Sequence, residues 1–259
     1  MTHYRLALLG DPVDHSRSPE IQRVMLDIAG LAGEYTLIRA DERVLEATIQ
    51  GLRSGHWQGL NVTMPLKPAA ARLADLLTPA ASAGQSVNTL TLDSGSVLGH
   101  STDADAFADL VASDRFPSDA PLLVLGGGGS AAAALAALGQ SREIHVATRR
   151  PESAADLVGR FGGQAVAWGD LVAGAILVNC TPIGMHGENL PVGVLDAAAG
   201  LIDLPYGPEE TPAVTQSRAL GISVAEGHEF LVRQAIASFA LWTGVDLPFA
   251  LVTERLRKT

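Results

Sequence analysis

The sequence predicts two α/β domains, and three observations carry that expectation. Short apolar runs alternate with longer helical patterns, as strands joined by helical crossovers do. A Pro117-Ser118-Asp119-Ala120-Pro121 segment breaks the alternation, and a second series starts directly after it. At 259 residues the chain is long enough for roughly two domains of common size.

In the first series, residues 6–9 read as a strand. Residues 19–29 read as a helix: Ile21, Val24, Met25 and Ile28 share one face, Ser18 is the expected N-cap and Pro19 takes the first helical position. A strand over 35–38 precedes a helix over 44–52, with Val44, Leu45, Thr48, Ile49 and Leu52 on its inner side. A strand over 59–63 is closed by Pro65, and 69–77 read as helical. The runs 87–92 and 97–100 flank Asp93-Ser94-Gly95-Ser96 and predict a hairpin. A helix over 105–111 leads to the break. The second series opens with Leu122-Leu123-Val124-Leu125, followed by glycines and a run of alanines and leucines to Leu138. Further strands are expected over 143–148, 176–179, 200–203 and 223–225. A long final helix covers 229–243, with Leu231, Ala235, Ser238 or Phe239, and Trp242 at helical spacing.

Composition narrows the function classes. Hydrophobic residues make up 47% and charged residues 18%, which supplies sizeable cores and is incompatible with intrinsic disorder. The net charge of -10 argues against a nucleic-acid or anionic-membrane partner. The single cysteine, Cys180, excludes an intrachain disulfide framework and a multi-cysteine metal site; it reads as a buried small residue. The histidines show no metal-ligand spacing, so no metal is expected. A reducing, cytoplasmic setting fits, with no spanning helix and no signal peptide in the pattern.

The glycine run carries chemistry. Gly126-Gly127-Gly128-Gly129-Ser130-Ala131 fits G-x-G-x-x-[GA], directly after an apolar strand and opening a small-residue helix. Glycines let the backbone approach a pyrophosphate, and the helix N-terminus offers N–H groups and its positive dipole end. This predicts a Rossmann-type dinucleotide site. The next strand ends at Thr148-Arg149-Arg150, where an NAD site carries an acid for the ribose 2′-hydroxyl. Arginines there suit a 2′-phosphate, so NADP(H) is predicted over NAD(H).

Three polar clusters punctuate the first series: Gly10-Asp11-Pro12-Val13-Asp14-His15-Ser16-Arg17-Ser18-Pro19, then Asn61-Val62-Thr63-Met64-Pro65-Leu66-Lys67, then Ser86-Val87-Asn88-Thr89 with Ser101-Thr102-Asp103. Ligands of open α/β sheets sit beyond the carboxyl ends of the strands. Hydroxyls, amides and one lysine there suit a small polyhydroxylated anion, with Lys67 and Asp103 as the donor–acceptor pair.

These motifs, in this order, resemble those of the shikimate dehydrogenase family over nearly the whole chain. Gly10-x-Pro-Val-x-His-Ser-x-Ser-Pro19 resembles the family's N-terminal signature, and Gly59-Leu-Asn-Val-Thr-Met-Pro-Leu-Lys67 its most specific motif. Val178-Asn-Cys-Thr-Pro-Ile-Gly-Met185, Asp203-Leu-Pro-Tyr206-x-Pro208-x-x-Thr211 and Gln234-Ala235-x-x-x-Phe239-x-x-Trp242-x-Gly244 complete the series. The resemblance implies an open α/β substrate domain at 1–102, to which helices from 228–259 return, and an NADP-binding Rossmann domain at 103–227. It implies reduction of 3-dehydroshikimate to shikimate with NADPH, in aromatic amino-acid biosynthesis. Lys67 and Asp103 would be the catalytic pair, Lys67 serving the developing alkoxide and Asp103 orienting it. Ser16 and Ser18 would bind the substrate carboxylate with help from Tyr206, and Asn61, Thr63, Asn88 and Gln234 the ring hydroxyls. Gly126, Gly128, Gly129, Ser130, Ala131, Thr148, Arg149, Arg150, Thr181, Met185, Gly227 and Phe230 would face the cofactor. Asp103 also reads as an N-cap of the helix from 105. A small-molecule substrate and a monomer or homodimer are expected.

The chain departs from the family pattern at several positions. Ser101 stands where the family usually has Asn, Ala106 where Gly is common, and Gln22-Arg23 where a His-Asn pair is usual. Gly227-His228-Glu229-Phe230-Leu231 replaces small residues followed by Met-Leu. There Phe230 would make a bulkier wall by the nicotinamide, and Glu229 could attract an ammonium. That opens quinate or an amino-substituted analogue as an alternative substrate. A non-catalytic NADP(H) or metabolite sensor is the rival class; retention of both Lys67 and Asp103 argues against it.

Overall fold

The structure, a computed structural model, describes residues 3–112 and 114–258. The chain opens with β1 (His3–Gly10), α1 (Ser18–Ala29), β2 (Ala32–Arg39), α2 (Glu42–Arg53), β3 (Gly59–Val62), α3 (Lys67–Leu73), β4 (Leu76–Leu77), α4 (Pro79–Gly84), β5 (Thr89–Asp93) and β6 (Ser96–His100). It continues through α5 (Thr102–Ala112), β7 (Leu122–Leu125), α6 (Gly129–Leu138), β8 (Ile144–Ala147), α7 (Pro151–Phe161), β9 (Gln164–Val166), β10 (Ile176–Asn179), β11 (Gly200–Asp203), α8 (Pro212–Ala219) and β12 (Ser223–Ala225). Helices α9 (Gly227–Thr243) and α10 (Phe249–Leu256) complete it. Two compact units result: Met1–Asp105 with Leu231–Thr259, and Ala106–Phe230.

The first unit holds a six-stranded sheet of order β2-β1-β3-β5-β6-β4. The strand–helix alternation predicts parallel pairing, which β1 makes with β2 and β3. The hairpin β5–β6 turns the sheet mixed, because β5 pairs antiparallel with both β3 and β6. Each face is covered by helices whose apolar residues recur at helical spacing. On α2, Leu45, Ile49 and Leu52 are buried against Ala7, Leu9, Leu60 and Val62, and Asp41 caps the helix by accepting from Val44 N–H at 2.9 Å. Ile21, Met25, Val232, Ala235, Phe239 and Val252 form a second core from α1, α9 and α10.

Three local expectations need correction here. Val44, expected on the inner side of α2, is 38% exposed, because it lies off the helix face shared by Leu45, Ile49 and Leu52. Ser18 is not the N-cap of α1: it is already helical, and its N–H is accepted by Ser16 Oγ at 3.2 Å. The helix expected to reach residue 77 stops at Leu73. Ala74 turns extended, Asp75 N–H bonds to Val97 O, and Leu76 and Leu77 pair in parallel with Leu98 and Gly99. An open sheet edge outcompetes helix propensity there.

The second unit is a Rossmann-type fold. Its six-stranded sheet, of order β12-β11-β10-β7-β8-β9, is parallel throughout. Chain order reverses at β7, which lies between β10 and β8, and a ligand crevice is expected beyond the carboxyl end at such a switch point. Ala131, Ala132, Ala133 and Ala134 of α6 are buried, so small side chains bring this helix close to the sheet. Among the described residues no helix is long and apolar enough to cross a membrane.

Candidate active site

In the first unit the polar side chains converge into one hydrogen-bonded cluster. Lys67 opens α3, and its ammonium pairs with Asp103 Oδ2, 36 positions on. The two side chains are 14% and 6% exposed, so the pair is shielded from bulk water without being sealed from it. Asp103 Oδ1 accepts from Asn88 Nδ2 at 2.9 Å. Asn88 Oδ1 in turn accepts the Thr102 N–H at 2.7 Å. Asn88, not Asp103, therefore satisfies the start of α5; Asp103 lies inside the helix, which corrects the N-cap expectation.

Asn61 sits deeper. Its Nδ2 lies within bonding distance of Asn88 O, Thr89 Oγ1 and Ser238 Oγ, at 3.0, 2.9 and 3.0 Å, and its Oδ1 accepts from Tyr35 OH at 2.7 Å. The hydroxyls of Thr89, Thr102 and Ser238 lie 3.0–3.1 Å from one another. Gln234 Oε1 is 3.5 Å from Asn88 Nδ2, while its own Nε2 donates to Leu231 O at 2.8 Å. Thr63 is half-buried, and no hydrogen bond of its hydroxyl is found among the described residues. At the start of α1, Ser16 Oγ donates to Ser18 Oγ at 3.1 Å, which places two hydroxyls beside the positive end of that helix. The cluster thus presents oriented donors and acceptors with one ammonium, a fit for a small hydroxylated ligand. The Ser16–Ser18 pair at the start of α1 is bonded within itself and, among the described residues, not to the cluster, and it suits a carboxylate. Tyr35 and Ser238 belong to this network yet carry no motif; only the spacing of Ser238 four residues after Gln234, on one helix face, hinted at it.

The second unit presents backbone instead. Gly126 follows β7 with φ +119°, and Gly128 is the N-cap residue of α6, which starts at Gly129. A Cβ on Gly127 would lie 2.7 Å from Ser153 Cβ, so a side chain there would have to displace α7. Gly127 and Gly128 are exposed, and Gly128 has open space where a Cβ would go. That bare mouth of a helix fits a pyrophosphate. Ala131 is fully buried, so its backbone alone could take part. Thr148 is buried and donates to Arg150 O. Arg149 and Arg150 are exposed, and neither has an acidic partner among the described residues. Two uncompensated guanidiniums at the end of β8 suit a 2′-phosphate.

Other second-unit residues are placed as follows. Thr181 donates to Asn179 Oδ1 through both N–H (3.1 Å) and hydroxyl (2.6 Å), and Met185 is exposed. Cys180 is half-buried, not buried as expected, because it follows β10 where the strand leaves the core. Tyr206 is half-buried with its ring 5.2 Å from that of His228. Gly227 is buried at the start of α9. Phe230 is 8% exposed, its ring centred 4.7 Å from that of Phe107. Glu229 holds Arg115 by two bonds of 2.9 and 2.7 Å. Its charge is already neutralised within this unit, which removes the sequence argument for an ammonium-bearing substrate. Asp203 is fully buried, and burial pushes its carboxyl above the usual carboxylate range, against the lowering effect of bonds from Thr211 and Asn179.

Comparison with known proteins places the chain. The model for the shikimate dehydrogenase substrate binding domain matches residues 8–90, and that for the shikimate 5′-dehydrogenase C-terminal domain matches 227–257. Shikimate dehydrogenase (NADP(+)) of Gluconobacter oxydans is 37% identical over 256 residues, covering 94% of this chain and 92% of that protein. The Thermus thermophilus enzyme of the same name is 33% identical over 245 residues, covering 93% of each. A crystal structure of shikimate 5-dehydrogenase from Thermus thermophilus, in complex with NADP(H) and shikimate, superimposes with a TM-score of 0.86 at 31% identity, over 98% of this chain and 99% of that one. Sequence identity and fold agree with these relatives over nearly the whole chain, and the chain belongs to the shikimate dehydrogenase family.

Proposed function

We infer that this protein is an NADP-dependent shikimate dehydrogenase, reducing 3-dehydroshikimate to shikimate and catalysing the reverse. The observation that carries the reading is the shielded Lys67–Asp103 pair, bonded to Asn88 within a cluster of hydroxyl and amide groups, in a chain of this family. NADPH supplies the hydride when bound. Lys67 holds the proton that the ring oxygen takes up as its negative charge grows, acting as general acid with a cation beside a developing alkoxide. Asp103 orients the ammonium, and Asn88 fixes Asp103 from the other oxygen. Ser16 and Ser18 hold the carboxylate, assisted by Tyr206, and Asn61, Thr63, Asn88 and Gln234 the ring hydroxyls. Met1–Asp105 with Leu231–Thr259 serve the substrate and Ala106–Phe230 the cofactor, where Gly126, Gly128 and Gly129 receive the pyrophosphate, Arg149 and Arg150 the 2′-phosphate, and Thr181, Met185, Gly227 and Phe230 the nicotinamide side. A cytoplasmic monomer or homodimer completes the reading. The test is absorbance at the reduced-nicotinamide band with shikimate, quinate and aminoshikimate against NADP and NAD. The expected outcome is turnover fastest with shikimate and NADP. Flat traces throughout would favour the sensor, and shikimate ranking last would refute the substrate assignment.

A further inference from the structure

We propose that Asp203 is a positioning residue: one buried carboxylate sets both the loop that carries Tyr206 and the loop that carries Thr181 and Met185. The inference rests on the roles given to those residues above.

The register of β10 against β11 places Asn179 beside Asp203, at the carboxyl ends of their strands. Both side chains are fully buried. Each Asp203 oxygen has its own donor: Asn179 Nδ2 reaches Oδ1 at 2.7 Å, and the Thr211 hydroxyl reaches Oδ2. An ionised carboxylate is acceptor-only and matches two donors, whereas an unpaired buried charge would be costly.

Through Asn179 the carboxylate governs the first loop. The amide spends its donors on Asp203 and on Ile183 O at 3.1 Å, which leaves Oδ1 to accept the Thr181 N–H and hydroxyl. Thr181 Oγ1 then accepts the Ile183 N–H at 3.2 Å and closes the turn. A flipped amide would set donors against donors at Thr181 N–H and an acceptor against Asp203. Asp203 thus sets which way Asn179 points together with Ile183 O and Thr181 N–H.

Through Thr211 it governs the second loop. Thr211 Oγ1 caps α8 by accepting the Val214 N–H at 3.2 Å, and its single proton goes to Asp203. The segment holding Tyr206 is thus anchored at both ends, since Leu204 N–H also donates to Asn179 O at 3.1 Å. Gly227 closes the enclosure: a Cβ there would lie 2.4 Å from both Leu204 O and Pro205 O.

The experiment compares wild type, Asp203→Ala, Thr211→Val and Thr211→Ser in the full-length protein. It measures the NADPH dissociation constant by fluorescence titration, KM and kcat for shikimate, and thermal unfolding. Asp203→Ala is expected to raise both the NADPH dissociation constant and the shikimate KM about tenfold, with kcat within about threefold. Thr211→Val should raise the shikimate KM and leave NADPH affinity alone, and Thr211→Ser should restore it. A double-mutant cycle of Thr211→Val with Tyr206→Phe should be non-additive, because the tyrosine is already displaced. Lowered unfolding temperature with both constants unchanged in Asp203→Ala, Thr211→Ser no better than Thr211→Val, or an additive cycle would each overturn the proposal. Should Asp203→Ala fail to fold, the Thr211 pair decides. A wild type that binds NADPH without turning over shikimate would sink the proposed activity, while the NADPH titration would still judge Asp203.

Discussion

The polar cluster around Asn88 and the glycine loop after β7 are built by opposite means. The first is built from side chains that hold one another: Asn88 alone touches Thr102, Asp103 and Gln234. The second is built from the absence of side chains, with Gly127 packed against Ser153 and backbone N–H groups facing outward from α6. In one place a polar group must be present and paired; in the other a side chain at Gly127 would collide with Ser153. The two sites should therefore fail differently, the cluster to deletion of polar atoms and the loop to addition of carbon.

The sharpest contrast comes from Lys67→Ala. It should lower kcat by roughly 10²–10⁴-fold, the range for loss of a general acid, with NADPH affinity nearly unchanged; steady-state kinetics and an NADPH titration check both halves. Normal turnover would end the catalytic assignment. Gly127→Val probes the other side. Overpacking costs about 1–3 kcal/mol, and if that falls on the loop's bound form NADPH should bind roughly 5–150-fold more weakly while the first-unit cluster is untouched. Next in size, Asn88→Ala strands the Thr102 N–H and one oxygen of Asp103, at a cost of about 1–3 kcal/mol. Both the unfolding temperature and kcat/KM should fall; a variant as stable as wild type would show that the cluster tolerates unpaired groups and would break the comparison.

The smallest effect concerns pH. His100 is buried beside Thr91 Oγ1 at 2.9 Å, and desolvation lowers its pKa from 6.5. The unfolded chain thus binds this proton more readily than the folded one, so stability is present above the unfolded value and is lost as pH falls from it toward the folded value. Unfolding temperature should drop as pH falls below 6.5, and His100→Gln should flatten that drop. An unchanged slope would remove His100 from the account.

Several elements were legible only in part. The helices α4, α7, α8 and α10 and the strand β9 fell outside the periodicity reading. Pro79, Pro151 and Pro212 in first helical turns, with Thr78 and Thr211 before two of them, are the signals that would have located α4, α7 and α8. The end of α3 had no comparable signal, because what stops it is pairing of Leu76 and Leu77 with β6. Glu229 read as an available carboxylate until Arg115, 114 positions away, occupied it. Tyr35 and Ser238 read as ordinary strand and helix positions, and Asp203 as the end of an apolar strand.

Periodicity, glycine and proline placement and residue chemistry determined the α/β class, the glycine loop after an apolar strand, the arginines at the end of the next one, and the motif order that marks the family. Those are properties of neighbours along the chain, and local backbone preference is enough to express them. Tertiary structure decided which groups are paired: Lys67 with Asp103, Asn88 with the start of α5, Asn61 with Tyr35 and Ser238, Asp203 with Asn179 and Thr211. Most of these bonds join residues far apart in sequence, and they form only where strand register and buried helix faces bring a donor and an acceptor within about 3 Å of each other.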